Sequence, residues 1–191
     1  IKDLKIKSNS QQNDDTDFLA IGTNYHKVME HIDFSNTSQT ATEVIAGLLA
    51  SQDMTQLDAQ MVECDKIDEC KKQVASLLGI DDVLYKEKEF IFYPKLSSIL
   101  STDYQNRVLV QGKVDLMIIK PEGIVLVDYK TSRISNEERL KKEYQLQLDL
   151  YAKAIESFYG KKVVKKIIYS FYLDKLIIVW QMQKINIIIG M

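Results

Sequence analysis

The spacing of hydrophobic and polar positions changes period partway along the chain. In the first eighty residues apolar positions recur at steps of three and four. Tyr25, Val28, Met29 and Ile32 form such a stripe on a helix predicted to begin at Gly22, with His26 and Glu30 one turn apart on a different side. Further helical patterns run over Thr42 to Ala50 and Lys66 to Leu78, with Gly79 as a stop. From Leu84 the period shortens to two. LYKEKEFIFYP (Leu84 to Pro94) alternates and is rich in aromatics, RVLVQGKVDLMIIK (Arg107 to Lys120) predicts a second strand, and IVLVDYK (Ile124 to Lys130) a third after the turn PEG. A helix follows over about Glu138 to Tyr159, and VVKKIIYSFYL and LIIVWQMQ flank Asp174 and Lys175 as a closing hairpin. The order predicts an α/β fold with a mixed, partly antiparallel central sheet flanked by helices and a helical N-terminal part. The polar residues 1–17 read as a flexible lead-in and 18–191 as a single domain. A start on Ile rather than Met suggests a piece of a longer polypeptide.

Composition narrows this picture. A chain of 191 residues that is 46% hydrophobic and 27% charged can bury one substantial core. No apolar run approaches the roughly 20 residues of a membrane span and no signal pattern opens the chain, so a soluble, cytoplasmic protein with no membrane partner is expected. Cys64 and Cys70 lack further Cys or His-rich company, which supports neither a zinc site nor an iron–sulfur cluster. A net charge of −2 does not mark a duplex binder. Local Lys patches at Lys141-Lys142, Lys161-Lys162 and Lys165-Lys166 offer backbone contacts or simply solvated faces. No G-x-x-x-x-G-K-[ST] loop is present, so ATP hydrolysis is not assigned to these residues.

The candidate chemistry lies where the most hydrophobic strand ends on charge. Ile124 to Val127 run into Asp128, and Lys130 follows on the same face. If Pro121 and Glu122 are the central turn residues, Lys120 faces Gly123, Asp115 lies opposite Asp128, and the two carboxylates are neighbours. A three-residue loop with Gly123 as a bulge would slide that register by one. An Asp-x-Lys alone is ordinarily a strand-end salt bridge. Two carboxylates and a lysine together suit a hard cation, which takes one or two protein carboxylates and keeps exchangeable waters.

Four motifs in order extend the case: GTNYH (Gly22 to His26), QGKVD (Gln111 to Asp115), VDYKT (Val127 to Thr131) and QLDLY (Gln147 to Tyr151). From about Gly22 to Leu173 the chain resembles the RecB-type nucleases of the PD-(D/E)XK superfamily, most nearly the AddA-type nuclease domains of bacterial helicase–nucleases. The resemblance implies a restriction-endonuclease-like core and a metal-dependent deoxyribonuclease, an exonuclease acting in double-strand break repair and recombination. Its cofactor would be Mg²⁺, with Mn²⁺ as a substitute. It also implies roles. Asp115 and Asp128 would be metal carboxylates, His26 and the carbonyl of Tyr129 further ligands, and Lys130 the catalytic lysine. Gln147 and Tyr151, one turn apart, would buttress the site or touch DNA. Glu87, with Glu89 close by, falls where the family often carries an acidic residue. Implied partners are DNA, upstream helicase domains of the same chain and an AddB-like subunit. Two alternatives are a nuclease-fold module that binds DNA or a partner without cutting, and a stand-alone RecB-type nuclease.

Overall fold

The computed structural model describes residues 15–98 and 105–179. Four helices come first: α1 (Asp15–His31), α2 (Ala41–Ala50), α3 (Gln56–Gln60) and α4 (Cys64–Ala75). The strands are β1 (Val83–Phe92), β2 (Val110–Lys120) and β3 (Gly123–Lys130), then β4 (Val163–Ser170) and β5 (Lys175–Val179) after helix α5 (Glu137–Tyr159). They form one sheet in the order β1-β2-β3-β4-β5. All neighbours are antiparallel except β3 and β4, which run parallel because α5 carries the chain back across the sheet. Among the described residues no helix is long and apolar enough to cross a membrane.

Capping explains the helix ends. Thr40 and Glu43 close a reciprocal capping box at the start of α2, and Thr55 with Asp58 does the same for α3. Five residues show no apolar period, so α3 escaped the sequence pattern and only its capping box marked it. Asn136 accepts the Arg139 N–H at 2.9 Å to start α5, and Gly160, at φ 61°, ends it in a left-handed cap. The helix expected from Gly22 begins two turns earlier, at Asp15. Gly22 therefore lies inside α1, where a Cβ would stand 3.2 Å from Thr131 Oγ1; its small size lets the end of β3 pass close to the helix. Of the expected lead-in only Asp15–Asp17 are described, in the first turn of α1. Residues 1–14, and residues 180–183 of the last predicted strand, lie outside the described residues.

The sheet is buried on both faces, which accounts for the unbroken apolar run of β3. Val125 and Val127 pack with Leu116 and Ile118 against Val28, Met29, Ile32 and Ile67 of the helical layer. Ile124 and Leu126 pack with Met117 against Ala152, Ala154 and Ile155 of α5. Each such aliphatic side chain contributes roughly 1.5–3 kcal/mol by leaving water.

The alternation fails at one place. Val114 belongs to the cluster on the α5 face, yet Leu116, two residues on, belongs to the opposite one. In β1 the matching position is Glu87, whose φ of 50° is left-handed. The β1–β2 ladder pairs Lys86 with Leu116 and Lys88 with Val114, and it lapses between them, where Glu87 stands opposite Asp115. A left-handed non-glycine residue inside a strand costs on the order of 1–3 kcal/mol, and such strain collects at functional sites.

Candidate metal centre

α1 points His26 at this lapse in the ladder. His26 Nδ1 lies 3.3 Å from Asp115 Oδ1 and 3.7 Å from Glu87 Oε1. One potential ligand atom from each of His26, Glu87 and Asp115 falls within 4.8 Å of the other two. The group opens onto a depression of about 530 Å³ whose walls include Lys27, Glu30, Lys113 and Thr131. The other Asp115 oxygen, Oδ2, accepts the Tyr129 N–H at 2.6 Å. One carboxylate thus stitches β2 to β3 with one oxygen and faces the depression with the other.

Two carboxylates held together away from water require positive charge. Burial by itself pushes the His26 imidazole down, but Asp115 and Glu87 outweigh it and raise its pKa to about 10. Burial likewise pushes the Glu87 carboxyl up, and the neighbouring His26 and Lys113 carry it below its ordinary value. Glu87 holds the Lys113 ammonium above its usual range through a direct ion pair. Neither buried oxygen of Glu87 has a hydrogen bond beyond these charge contacts. An imidazole and two carboxylates, one of them held by charge contacts alone, beside an open depression, fit a divalent cation of the Mg²⁺ or Mn²⁺ type.

Asp128 has a different setting. Its Oδ2 is 2.7 Å from Lys130 Nζ, and its Oδ1 accepts from Gln147 Nε2 at 3.3 Å. Gln147 Nε2 is also 3.1 Å from the Tyr151 hydroxyl, and Lys130 Nζ sits 4.5 Å over the Tyr144 ring. Burial pushes the Asp128 carboxyl up to about 6, with Lys130 opposing and Asp115 adding. Burial works against the Lys130 ammonium, but Asp128 and Asp115 hold it above its usual range.

The turn register is the expected one: Lys120 pairs with Gly123 and Leu116 with Val127, so Asp115 and Asp128 come next in line. On that register Asp115 lies close enough to act on the charges of both Asp128 and Lys130, although the two carboxylates lean to different partners. The slip in alternation turns Asp115 toward α1, while Asp128 points to Gln147 and Tyr151 on α5. Of the expected site residues, His26, Glu87 and Asp115 come together, and Asp128, Lys130, Gln147 and Tyr151 form a second group. Tyr129 lies between them, touching Asp115 through its N–H. Sequence reasoning missed Lys113, although it stands two residues from Asp115, and it passed over Thr131. Gly112 also matters. A Cβ there would lie 2.6 Å from Phe90 Cζ and 2.7 Å from Tyr151 Cε1, in a ring pair whose centroids are 5.1 Å apart.

The profile of the PD-(D/E)XK nuclease superfamily matches residues 2–179. The chain is similar to an ATP-dependent helicase/nuclease protein of the AddA type from Ruminiclostridium cellulolyticum, at 32% identity over 78% of this chain and 12% of that protein. Its counterpart from Carboxydothermus hydrogenoformans is 31% identical over 83% of this chain and 14% of its own length. That from Clostridium novyi is 32% identical over 81% and 13%. The chain thus spans only about an eighth of the length of these curated relatives. A solved structure, SSO0001, shares 12% identity over 84% of this chain and 74% of its own, at a TM-score of 0.37, a likeness too slight to bear on the fold.

Proposed function

Because the chain belongs to the PD-(D/E)XK nuclease superfamily, we propose that it is a metal-dependent deoxyribonuclease domain that hydrolyses phosphodiester bonds as an exonuclease. The observation that carries this reading is the meeting of His26, Glu87 and Asp115 at an open depression. These three residues would hold Mg²⁺, or Mn²⁺ in its place, with the Tyr129 carbonyl as a further donor. Bound there, the cation would polarise a phosphoryl oxygen and acidify a water enough for attack at neutral pH.

The remaining work falls to the chain. Asp115 keeps one oxygen on the Tyr129 N–H, so its other oxygen is fixed in direction before any ligand arrives. Lys130 is an ammonium at neutral pH, which suits it to stabilise negative charge growing on phosphate oxygens rather than to accept a proton. Asp128 sets the position of Lys130, and Gln147, braced by Tyr151, holds Asp128. Lys113 competes for Glu87 until a cation takes its place. The names of the relatives support a wider reading, in which the domain belongs to an AddAB-like helicase–nuclease acting in DNA repair and recombination. Helicase domains of the same chain would then deliver the strand, alongside a partner protein of the AddB type.

A second reading, binding without cleavage, draws on Asp128 being locked by Lys130 and Gln147 away from the three converging ligands. A nuclease assay on single- and double-stranded DNA with Mg²⁺ or Mn²⁺ separates the two. Cleavage by the wild type that disappears in Asp115→Ala supports the first. DNA binding by the wild type with no calorimetric Mn²⁺ binding that depends on Asp115 and Asp128 would favour the second.

A further inference from the structure

A second cavity, of about 210 Å³, opens on the other flank of α1. Ile21 and Tyr25 line it, whereas their neighbours Gly22 and His26 line the metal centre, and Thr131 lines both. The two spaces therefore adjoin across one turn of α1 and one residue of the β3 exit. The remaining walls are Met61, Glu63, whose carboxylate accepts from the Tyr25 hydroxyl, Lys66, Arg133, Phe171 and Tyr172. Tyr172 is 45% exposed, while Phe171 beneath it is buried.

An exposed tyrosine is ordinary by itself. This one sits on a turn that is tied down from three directions. Lys66 Nζ on α4 donates to the Phe171 carbonyl at 2.7 Å and lies 3.6 Å from Asp174 Oδ1. Gln73 Nε2, also on α4, donates to the Asp174 carbonyl at 2.8 Å. The Phe171 N–H donates to the Lys130 carbonyl at 2.9 Å, which fixes the turn to the segment that also carries Thr131 and Arg133. The result is an open concave surface of aromatic ring and guanidinium, too small to enclose a nucleotide but able to take a base on its exposed rim. Aromatic faces stack unpaired bases and cations follow the backbone, the two elements of single-strand recognition.

We propose that the rim of this cavity receives the nucleotide adjoining the scissile phosphate of single-stranded DNA, with its base stacked on Tyr172 and its phosphate paired with Arg133. The proposal rests on the nuclease reading of the neighbouring centre. A duplex offers no unstacked base to this surface, so the occupant is a single strand. Thr131, on the shared wall, faces the phosphate that joins the two nucleotides.

Fluorescence anisotropy with a labelled oligothymidylate and a blunt duplex, in EDTA, tests it on the 191-residue chain. Tyr172→Ala is expected to weaken oligothymidylate binding by about 5- to 100-fold, the range of one lost base stack, and Tyr172→Phe to retain it. Arg133→Gln is expected to flatten the slope of log affinity against log salt by about 0.7. Unchanged binding and slope in correctly folded variants would overturn the proposal, as would an equal loss on the duplex. Because binding is read without metal, a wild type that never cuts DNA would count against the nuclease reading alone. Cleavage that needs Asp115 but binding indifferent to Tyr172 and Arg133 would count against this inference alone.

Discussion

Asp115 on β2 and Asp128 on β3 stand next to each other in register, yet the protein treats them as opposites. Asp115 looks onto an open depression with His26 and Glu87, its charge answered by groups at the rim. Both are buried, Asp115 7% and Asp128 3% exposed, but Asp128 is answered from within, by Lys130 on its own strand and Gln147 on α5. One carboxylate turns an oxygen to the depression, and the other is held between Lys130 and Gln147. Two identical side chains separate in this way because β2 changes its facing at Asp115, opposite the left-handed Glu87 of β1, whereas β3 alternates without a break.

The contrast can be broken from either side. The largest effect is expected for Asp115→Ala, which should lower cleavage by a factor on the order of a thousand and abolish calorimetric Mn²⁺ binding, since Asp115 is the proposed ligand that ties the candidate centre to β3. It should also cost about 1–3 kcal/mol in urea denaturation, because the buried Tyr129 N–H loses its acceptor. Lys130→Ala tests the closed side. It strands a buried carboxylate and is expected to cost about 3–5 kcal/mol in the same measurement, with much of the loss recovered in the double variant Asp128→Asn/Lys130→Met.

Smaller effects sharpen the picture. Glu87→Gly removes a ligand and also releases the left-handed strain, so Mn²⁺ affinity should fall while the thermal midpoint holds or rises, by up to about 1 kcal/mol in stability. An unchanged Mn²⁺ affinity in that variant would remove Glu87 from the centre. Lys113→Met is expected to cost about 1 kcal/mol without metal, because it takes a counter-charge from the buried Glu87, and to tighten Mn²⁺ binding several-fold by removing the competing ammonium.

Most of the architecture was legible in the residues. The change from a helical to an alternating period located the helical layer and the sheet, and PEG set the β2–β3 register through Lys120 and Gly123. What stayed hidden was the slip in facing at Glu87 and Asp115. Glutamate carries no preference for positive φ, so nothing local announced that Lys86 and Glu87 would leave the alternating pattern. The conformation is imposed by tertiary contacts from His26 and Lys113. The start of α1 was misplaced for a related reason: Gly22 looks like a boundary in sequence, whereas its use is to admit Thr131. Lys113 and Thr131 lie inside QGKVD and VDYKT, but a lysine and a threonine on a strand carry no mark of the depression they line.

Gly112 carries a lesson for reading natural variation in this chain. A one-base change in its codon yields Ala, and the added methyl group would collide with Phe90 and Tyr151 at once. Tyr151 leans on Gln147, and Gln147 on Asp128, so the displacement would arrive at the buried carboxylate through two side chains. A lineage could thus silence the proposed nuclease while every acidic residue, the lysine and the histidine still read as intact in its gene.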